Sequence, residues 1–167
     1  MLMRLTSARP KSADSSKPDA YVAGPPTSYG DRKRWEGLKA ALEQHGLSLV
    51  AETTGTPDLD GGIAAGNALL SKAGRIDAVL CYNDMIAVGL MGVFKAAGIA
   101  IPADLALVGC DDVMLAAALV SPALSTLRVA KQDLGMMAMR MLLDRIEGRN
   151  AQQRIVIEPD LIHRETT

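Results

Sequence analysis

The sequence predicts an α/β fold, a parallel, doubly wound sheet with helices on both faces. Three observations predict it. From Ala20 onward, short apolar runs alternate with stretches of helical periodicity, the order expected of βαβ units. Polar residues recur just after successive strands, in "GPPTSYGDRKR", "ETTGTPD", "YND" and "CDD", and open α/β sheets collect their ligand-binding loops at that edge. The 167 residues are 49% hydrophobic, 22% charged and only 3% aromatic, enough for one ordinary core built mainly from Ala, Leu, Val, Ile and Met.

In chain order, "AYVAG" is the first strand and "PPTSYGD" a loop. Trp35, Leu38 and Leu42 then recur at steps of three and four, which marks an amphipathic helix closed near Gly46. "LSLVAETT" is the second strand, and "PDLDGGIAAGNALLSKAG" a turn and helix with Leu59, Ile63, Leu69 and Leu70 toward the core. "DAVLCYN" supplies the third strand. "DMIAVGLMGVFKAAG" follows, apolar on nearly every side from Met85 to Phe94; such a helix needs cover from sheet, neighbouring helices or another subunit. Leu105 to Val108 form a fourth strand and "SPALSTLRV" is the candidate fifth. Leu134, Met137, Ala138, Met141 and Leu142 fall at i, i+3, i+4, i+7 and i+8, the cleanest helical stripe in the chain, with Gly148 as its stop.

Charge and composition exclude several function classes. A net charge of −1 and a pI near 6.1 lack the clustered positive field that holds nucleic acid, so any DNA-binding part must lie elsewhere. Cys81 and Cys110 each sit in an apolar stretch without a CxxC partner, which fits two buried thiols in a reduced, cytoplasmic setting. No stretch has the length of a signal peptide core or a membrane span, and residues 1–19 read as a disordered or atypical tail. There is no G-x-S-x-G, Walker loop or H-E-x-x-H, and His45 and His163 stand far apart. Binding is therefore expected rather than turnover, with no catalytic residue, metal or cofactor.

The strand ends hold the candidate binding residues. Asn83 offers both a donor and an acceptor, Asp111 accepts only, and Arg34 presents a planar fork of donors. Together they suit a small polyhydroxylated or heterocyclic ligand. Asp84 before "MIAVG" and Asp112 before "VMLAAAL" read as helix N-caps, leaving Asn83 and Asp111 to point outward. Asx-turns for Asn83 and Asp111, and a solvated helix face for the basic run Arg32 to Arg34, are the structural alternatives.

At "GPPTSYGDRKRWEGLKAAL", "AVLCYNDMIAVGLMGVFKAAGIAIPADLALVGCDD", "SPALSTLRVAKQDLGMMAMRMLLDRIEG" and "IVIEPDLIHRET", the chain resembles the effector-binding region of the LacI/GalR transcriptional regulators. The resemblance implies a periplasmic-binding-protein-like subdomain over residues 20–130. Residues 131–153 would be a helix and connection that in the family belong to the N-terminal subdomain, and residues 154–167 a returning terminal strand. It also implies that Arg34, Asn83 and Asp111 hydrogen-bond a small effector, a sugar, sugar phosphate or nucleobase, with Ser28 and Tyr29 as lesser contacts. Where the family often carries an aromatic platform this chain has Pro57, with Tyr29 as the substitute. A homodimer is implied through the helix after the Asn-Asp pair, at Val88, Met91 and Gly92. No helix-turn-helix is recognisable in these residues, so the chain is expected to be a truncated form that meets DNA only through a part it lacks. A solute-binding protein for sugar transport, an enzyme on a doubly wound sheet and a remnant that only dimerises are the competing functions.

Overall fold

The computed structural model describes residues 19–54, 56–114, 119–149 and 154–167. Except for Asp19, the expected tail at 1–19 lies outside them. Among the described residues six strands form one sheet: β1 (Asp19–Ala23), β2 (Leu49–Thr54), β3 (Ala78–Cys81), β4 (Ala106–Cys110), β5 (Ser125–Arg128) and β6 (Asp160–Ile162). Their order is β2-β1-β3-β4-β5-β6, with the first five parallel and β6 antiparallel to β5. The predicted parallel α/β sheet is therefore present, closed by one antiparallel edge strand. Because β1 has β2 on one side and β3 on the other, the chain reverses its direction of travel across the sheet at the β1/β3 boundary. That boundary is the switch point, outside which such sheets leave a crevice.

Alternation along β1 divides the core into layers. Ala20 and Val22 face one side, packed with Val79, Cys81, Leu105 and Leu107 against α2 (Leu59–Leu69) and α3 (Asp84–Ala96), while Tyr21 and Ala23 face α1 (Tyr29–Gln44). On α1 the expected stripe is in place: Leu38 and Leu42 are buried, and Trp35 stacks on Tyr21 with centroids 5.7 Å apart. Ser28 caps α1 by accepting from Asp31 N, and the expected stop follows at Gly46, where φ is +65°. The Asp31 carboxylate accepts from the Tyr21 hydroxyl and from Gly24 N, both at 2.8 Å. Those bonds satisfy a buried phenol and tie the first loop to its strand.

The second helix buries a different face from the one its large residues indicate. Leu59 and Ile63 are 41% and 39% exposed, whereas Gly61, Gly62, Ala65, Gly66 and Leu69 are buried. The cause is its neighbour. A side chain at Gly62 would strike the backbone of Ile86, one at Gly66 would meet Val93, and one at Gly89 would strike the backbone of Leu59 and Ile63. The two helices touch nearly main chain to main chain, which is possible only where Cβ atoms are missing. This contact and the sheet supply the cover that α3 needs, burying Ile86, Ala87, Leu90, Met91 and Phe94.

The last helix, α4 (Lys131–Ile146), stops as expected at Gly148. It has no buried residue: Leu134, Met137 and Leu142 are 44%, 41% and 52% exposed. Past it, residues 154–167 return to the sheet. Thr166 joins Leu107 and Ser125 through its hydroxyl and carbonyl, lacing β4 to β5 at their amino ends. No described helix is long and apolar enough to cross a membrane.

Candidate functional site

All five parallel strands deliver their carboxyl ends to one edge, in register from Val22 against Cys81 to Cys110 against Leu127. Arg34 rises there from the second turn of α1, half-buried, with its guanidinium carbon 4.8 Å from the centre of the Tyr82 ring. Burial opposes its charge, but Cys110, Asp111 and Tyr82 outweigh that and leave its pKa raised. Arg34 is thus a fixed cation aimed across the ends of β3 and β4, and the solvated-face alternative fails for it. Cys110 and Cys81 are both free and buried, and burial pushes both thiols up in pKa, so they are inert.

At the end of β3 the structure reverses the expected roles of the Asn-Asp pair. Asn83 is the N-cap of α3, its Oδ1 accepting from Ile86 N at 2.9 Å, while its Nδ2 donates to Pro57 O at 2.9 Å. The amide retains one N–H and one lone pair for a ligand. Asp84, expected as the cap, is wholly buried: its carboxylate accepts from the Thr126 hydroxyl at 2.5 Å and from Val113 N at 2.7 Å. A Cβ on Gly109 would collide with that carboxylate, so the glycine in β4 makes room for it. Burial raises the Asp84 pKa, and the two hydrogen bonds only partly oppose this.

Asp112, also expected as a cap, instead meets two arginines. Its carboxylate accepts from Arg128 Nε at 2.6 Å and from Arg164 at 2.7 Å. Burial works to raise its pKa, but those bonds prevail and hold it low. Residues 115–118 of the helix expected to follow lie outside the described residues. The clamp braces a strained turn, since Asp111 and Asp112 have φ of 110° and 50°, uncommon for any residue with a side chain. Asp111 is half-buried, with Lys131 Nζ 3.8 Å from its carboxylate and 3.2 Å from its carbonyl.

Ser28, Arg34, Asn83 and Asp111 therefore share the edge, and Tyr29 stands at the start of α1 with its ring open to solvent. Its ring is 65% exposed and carries Arg32 and Lys33 at 5.2 and 5.8 Å. The ring that does reach the site is Tyr82. It packs on Gly24, where a Cβ would lie 2.6 Å from its carbons, and its hydroxyl is 3.3 Å from Ser28 Oγ. Sequence reasoning missed Tyr82, Lys131, Thr126 and Arg164. Tyr82 stands in "YND", directly after a strand, while the other three are joined to the site only through tertiary contacts. Away from this edge, Val88, Met91 and Gly92 of α3 line a groove of about 500 Å³ with Lys95, Ile101, Val120 and Pro122. Met91 is buried, Val88 is half-buried and Gly92 is exposed.

Residues 19–167 match the family described as periplasmic binding protein-like domain. The chain is similar to the ribose operon repressor of Escherichia coli (strain K12), 36% identical over 148 residues, which is 87% of this chain and 44% of the repressor. Its fold is similar to that of the transcriptional regulator CelR in complex with cellobiose, with a TM-score of 0.83 and 30% identity over 91% of this chain and 47% of that one. A dimeric lac repressor with a C-terminal deletion superimposes with a TM-score of 0.88 and 25% identity, over 99% of this chain and 59% of that one. The chain thus spans less than half of the ribose repressor. The ribose and lac proteins are named as repressors and CelR as a regulator, none as an enzyme.

Proposed function

The chain belongs to the periplasmic binding protein-like domain family, as the effector-binding region of a LacI/GalR-type regulator, and from that premise we propose that it senses a small hydroxylated metabolite, a sugar or sugar derivative. One observation carries the reading: Arg34 is held half-buried across the strand ends beside Asp111, with donor and acceptor capacity left on Asn83. A fixed fork of donors, a carboxylate and an amide are the groups that hydroxyls on adjacent carbons satisfy. Ser28 serves first as a cap and contributes less, and Tyr29 least.

Effector binding shifts a regulator between two states by its differential affinity for them. In this reading the chain supplies one wall of a cleft, and α4 belongs with a second lobe forming the other. Two copies pair through the groove at Val88, Met91 and Gly92. The chain itself makes no DNA contact, consistent with its net charge of −1. Its two buried thiols suit a cytoplasmic setting.

The test is thermal unfolding of the purified chain against D-ribose, other sugars, sugar phosphates and nucleobases, with Arg34→Ala in parallel. A ligand at about 100 times its dissociation constant adds roughly 2.7 kcal/mol to the folded state. The expected result is a shift with a sugar that Arg34→Ala abolishes, on a sample that sediments as a dimer. A wild-type transition that no compound moves would overturn sensing by this chain, and a monomer would overturn the pairing.

A further inference from the structure

The β1/β3 switch point is where an open sheet of this order leaves its crevice, and in this chain that crevice is filled. Tyr82 follows β3 and its backbone N–H continues the ladder to Val22 O at 2.8 Å. Its ring lies flat on Gly24, the first residue beyond β1, so closely that a Cβ there would lie 2.6 Å from Cγ and Cδ2. Its hydroxyl reaches Ser28 Oγ at 3.3 Å, across the whole first loop. The Arg34 guanidinium stands 4.8 Å from the same ring. An arginine side chain has several rotatable bonds and a large rotamer entropy to lose, so a surface that fixes it decides where its donors point. Cys110 is a weak acceptor for it, and Asp111, whose carboxylate pairs with Lys131 at 3.8 Å, attracts the guanidinium through charge.

We propose that Tyr82 is a positioning and specificity residue. Its ring plugs the switch-point crevice over Gly24 and holds Arg34 toward Asp111, so that a ligand seats on the β3/β4 side of the edge and cannot insert between the first loop and β3. The ring does the holding, and the hydroxyl anchors the ring to the cap of α1. A compact ligand presenting hydroxyls is favoured, and one that needs the volume above Gly24 is refused until the ring is removed. This rests on the effector-site reading above for its consequence, but not for its geometry.

The experiment separates the two. Side-chain NMR of the Arg34 Nε–Hε group, assigned by its disappearance in Arg34→Lys, reads the ring without any ligand. The expected result is an upfield ring-current shift in wild type, kept in Tyr82→Phe and lost in Tyr82→Leu. Arg34→Met reads the contact from the other side, by moving the Tyr82 ring resonances, and needs no variant at Tyr82 to fold. An Arg34 signal unchanged in a folded Tyr82→Leu, or Tyr82 resonances unmoved in Arg34→Met, would overturn the proposal. Titration with D-ribose then reads the consequence: Tyr82→Leu should bind about tenfold more weakly than wild type, the scale of one partly desolvated cation–π contact, and Tyr82→Phe, which keeps the ring and loses its anchor, should fall between the two. Equal affinity of both variants with wild type would also overturn it. A wild type that binds no sugar but shows the ring-current shift would leave the positioning standing and sink the sugar reading instead.

Discussion

Helices α3 and α4 are both rich in apolar residues, yet α3 buries Ile86, Ala87, Gly89, Leu90, Met91 and Phe94 while α4 buries none. By periodicity α4 has the cleaner stripe. The difference lies in what faces each one. Opposite α3 stands α2, whose Gly62 and Gly66 offer a surface without side chains, so two helices and a sheet close on each other. Opposite the stripe Leu134, Met137 and Met141, the described residues place the returning segment at Ile155 and Ile157, across a cleft of about 310 Å³. An apolar stripe records what a helix is able to bury. Whether it is buried depends on a complementary surface that the stripe does not encode.

The largest effect should therefore come from a single methyl at the α2–α3 contact. Gly89→Ala places a Cβ against the Leu59 carbonyl and the Ile63 amide, both backbone atoms in a helix that cannot yield alone. The expected loss is about 3 kcal/mol or more, or failure to fold cooperatively, since overpacking here must displace whole elements. Gly135→Ala in α4 is the matched control. Nothing lies within 4 Å of its new methyl, and replacing a helical glycine there should add about 0.5–1 kcal/mol. Urea unfolding of the two variants reads the contrast, and effects of similar sign and size would show that the packing difference is not what separates these helices.

Next in size is Asp84, which joins the first residue of α3 to β5 and the loop after β4. Asp84→Ala should lose about 2–5 kcal/mol, because Val113 N and the Thr126 hydroxyl are left without their acceptor in a buried place. Its pH dependence has a definite sign. The folded-state pKa is raised by burial, so the folded state binds more protons between the ordinary carboxylate value of about 3.9 and that raised value, and stability contributed by this group is lost as pH rises through the window. Asp112 is held low by Arg164 and Arg128 against the opposing effect of burial, so its contribution is present above the unfolded pKa and lost as pH falls through the folded one. Asp84→Asn removes only the first dependence. Relative to wild type, its stability should climb from about pH 4 upward, and parallel curves for the two proteins would contradict the assignment.

These particular residues show how far the sequence could be read. The order of strands and helices follows from runs and periods that are local, and so do the stops at Gly46 and Gly148. Arg34, Asn83 and Asp111 were legible as strand-end residues, and their association with one edge follows from the parallel sheet. What was not legible depends on partners distant in sequence. "GGIAAG" cannot show that its glycines, rather than Leu59 and Ile63, face the core, because the reason is the backbone of a helix some 25 residues later. Asn83 and Asp84 are adjacent and both suit a cap; the choice is made by Thr126, 42 positions on, which draws the aspartate inward. Tyr82 is similar, since a tyrosine after a strand acquires its place only when Gly24 and Arg34 close around it.

The smallest expected effects fall on α4. Met137→Gln and Leu142→Gln remove apolar side chains that are 41% and 52% exposed, so each should change the stability of this chain by no more than about 0.5 kcal/mol. Leu90→Ala, a truncation on the covered helix at a fully buried position, should instead cost about 2–5 kcal/mol. If the glutamines cost as much as Leu90→Ala, α4 is covered in solution by something outside the described residues or by a second molecule. Repeating the measurement over a hundredfold range of protein concentration separates those cases. A cost that grows with concentration identifies a second copy on the stripe, because only association makes stability depend on the amount of protein present. A cost that does not vary places the cover within the same chain. A null result at every concentration leaves α4 as a helix held by its own hydrogen bonds and by the returning segment, with its stripe turned to water.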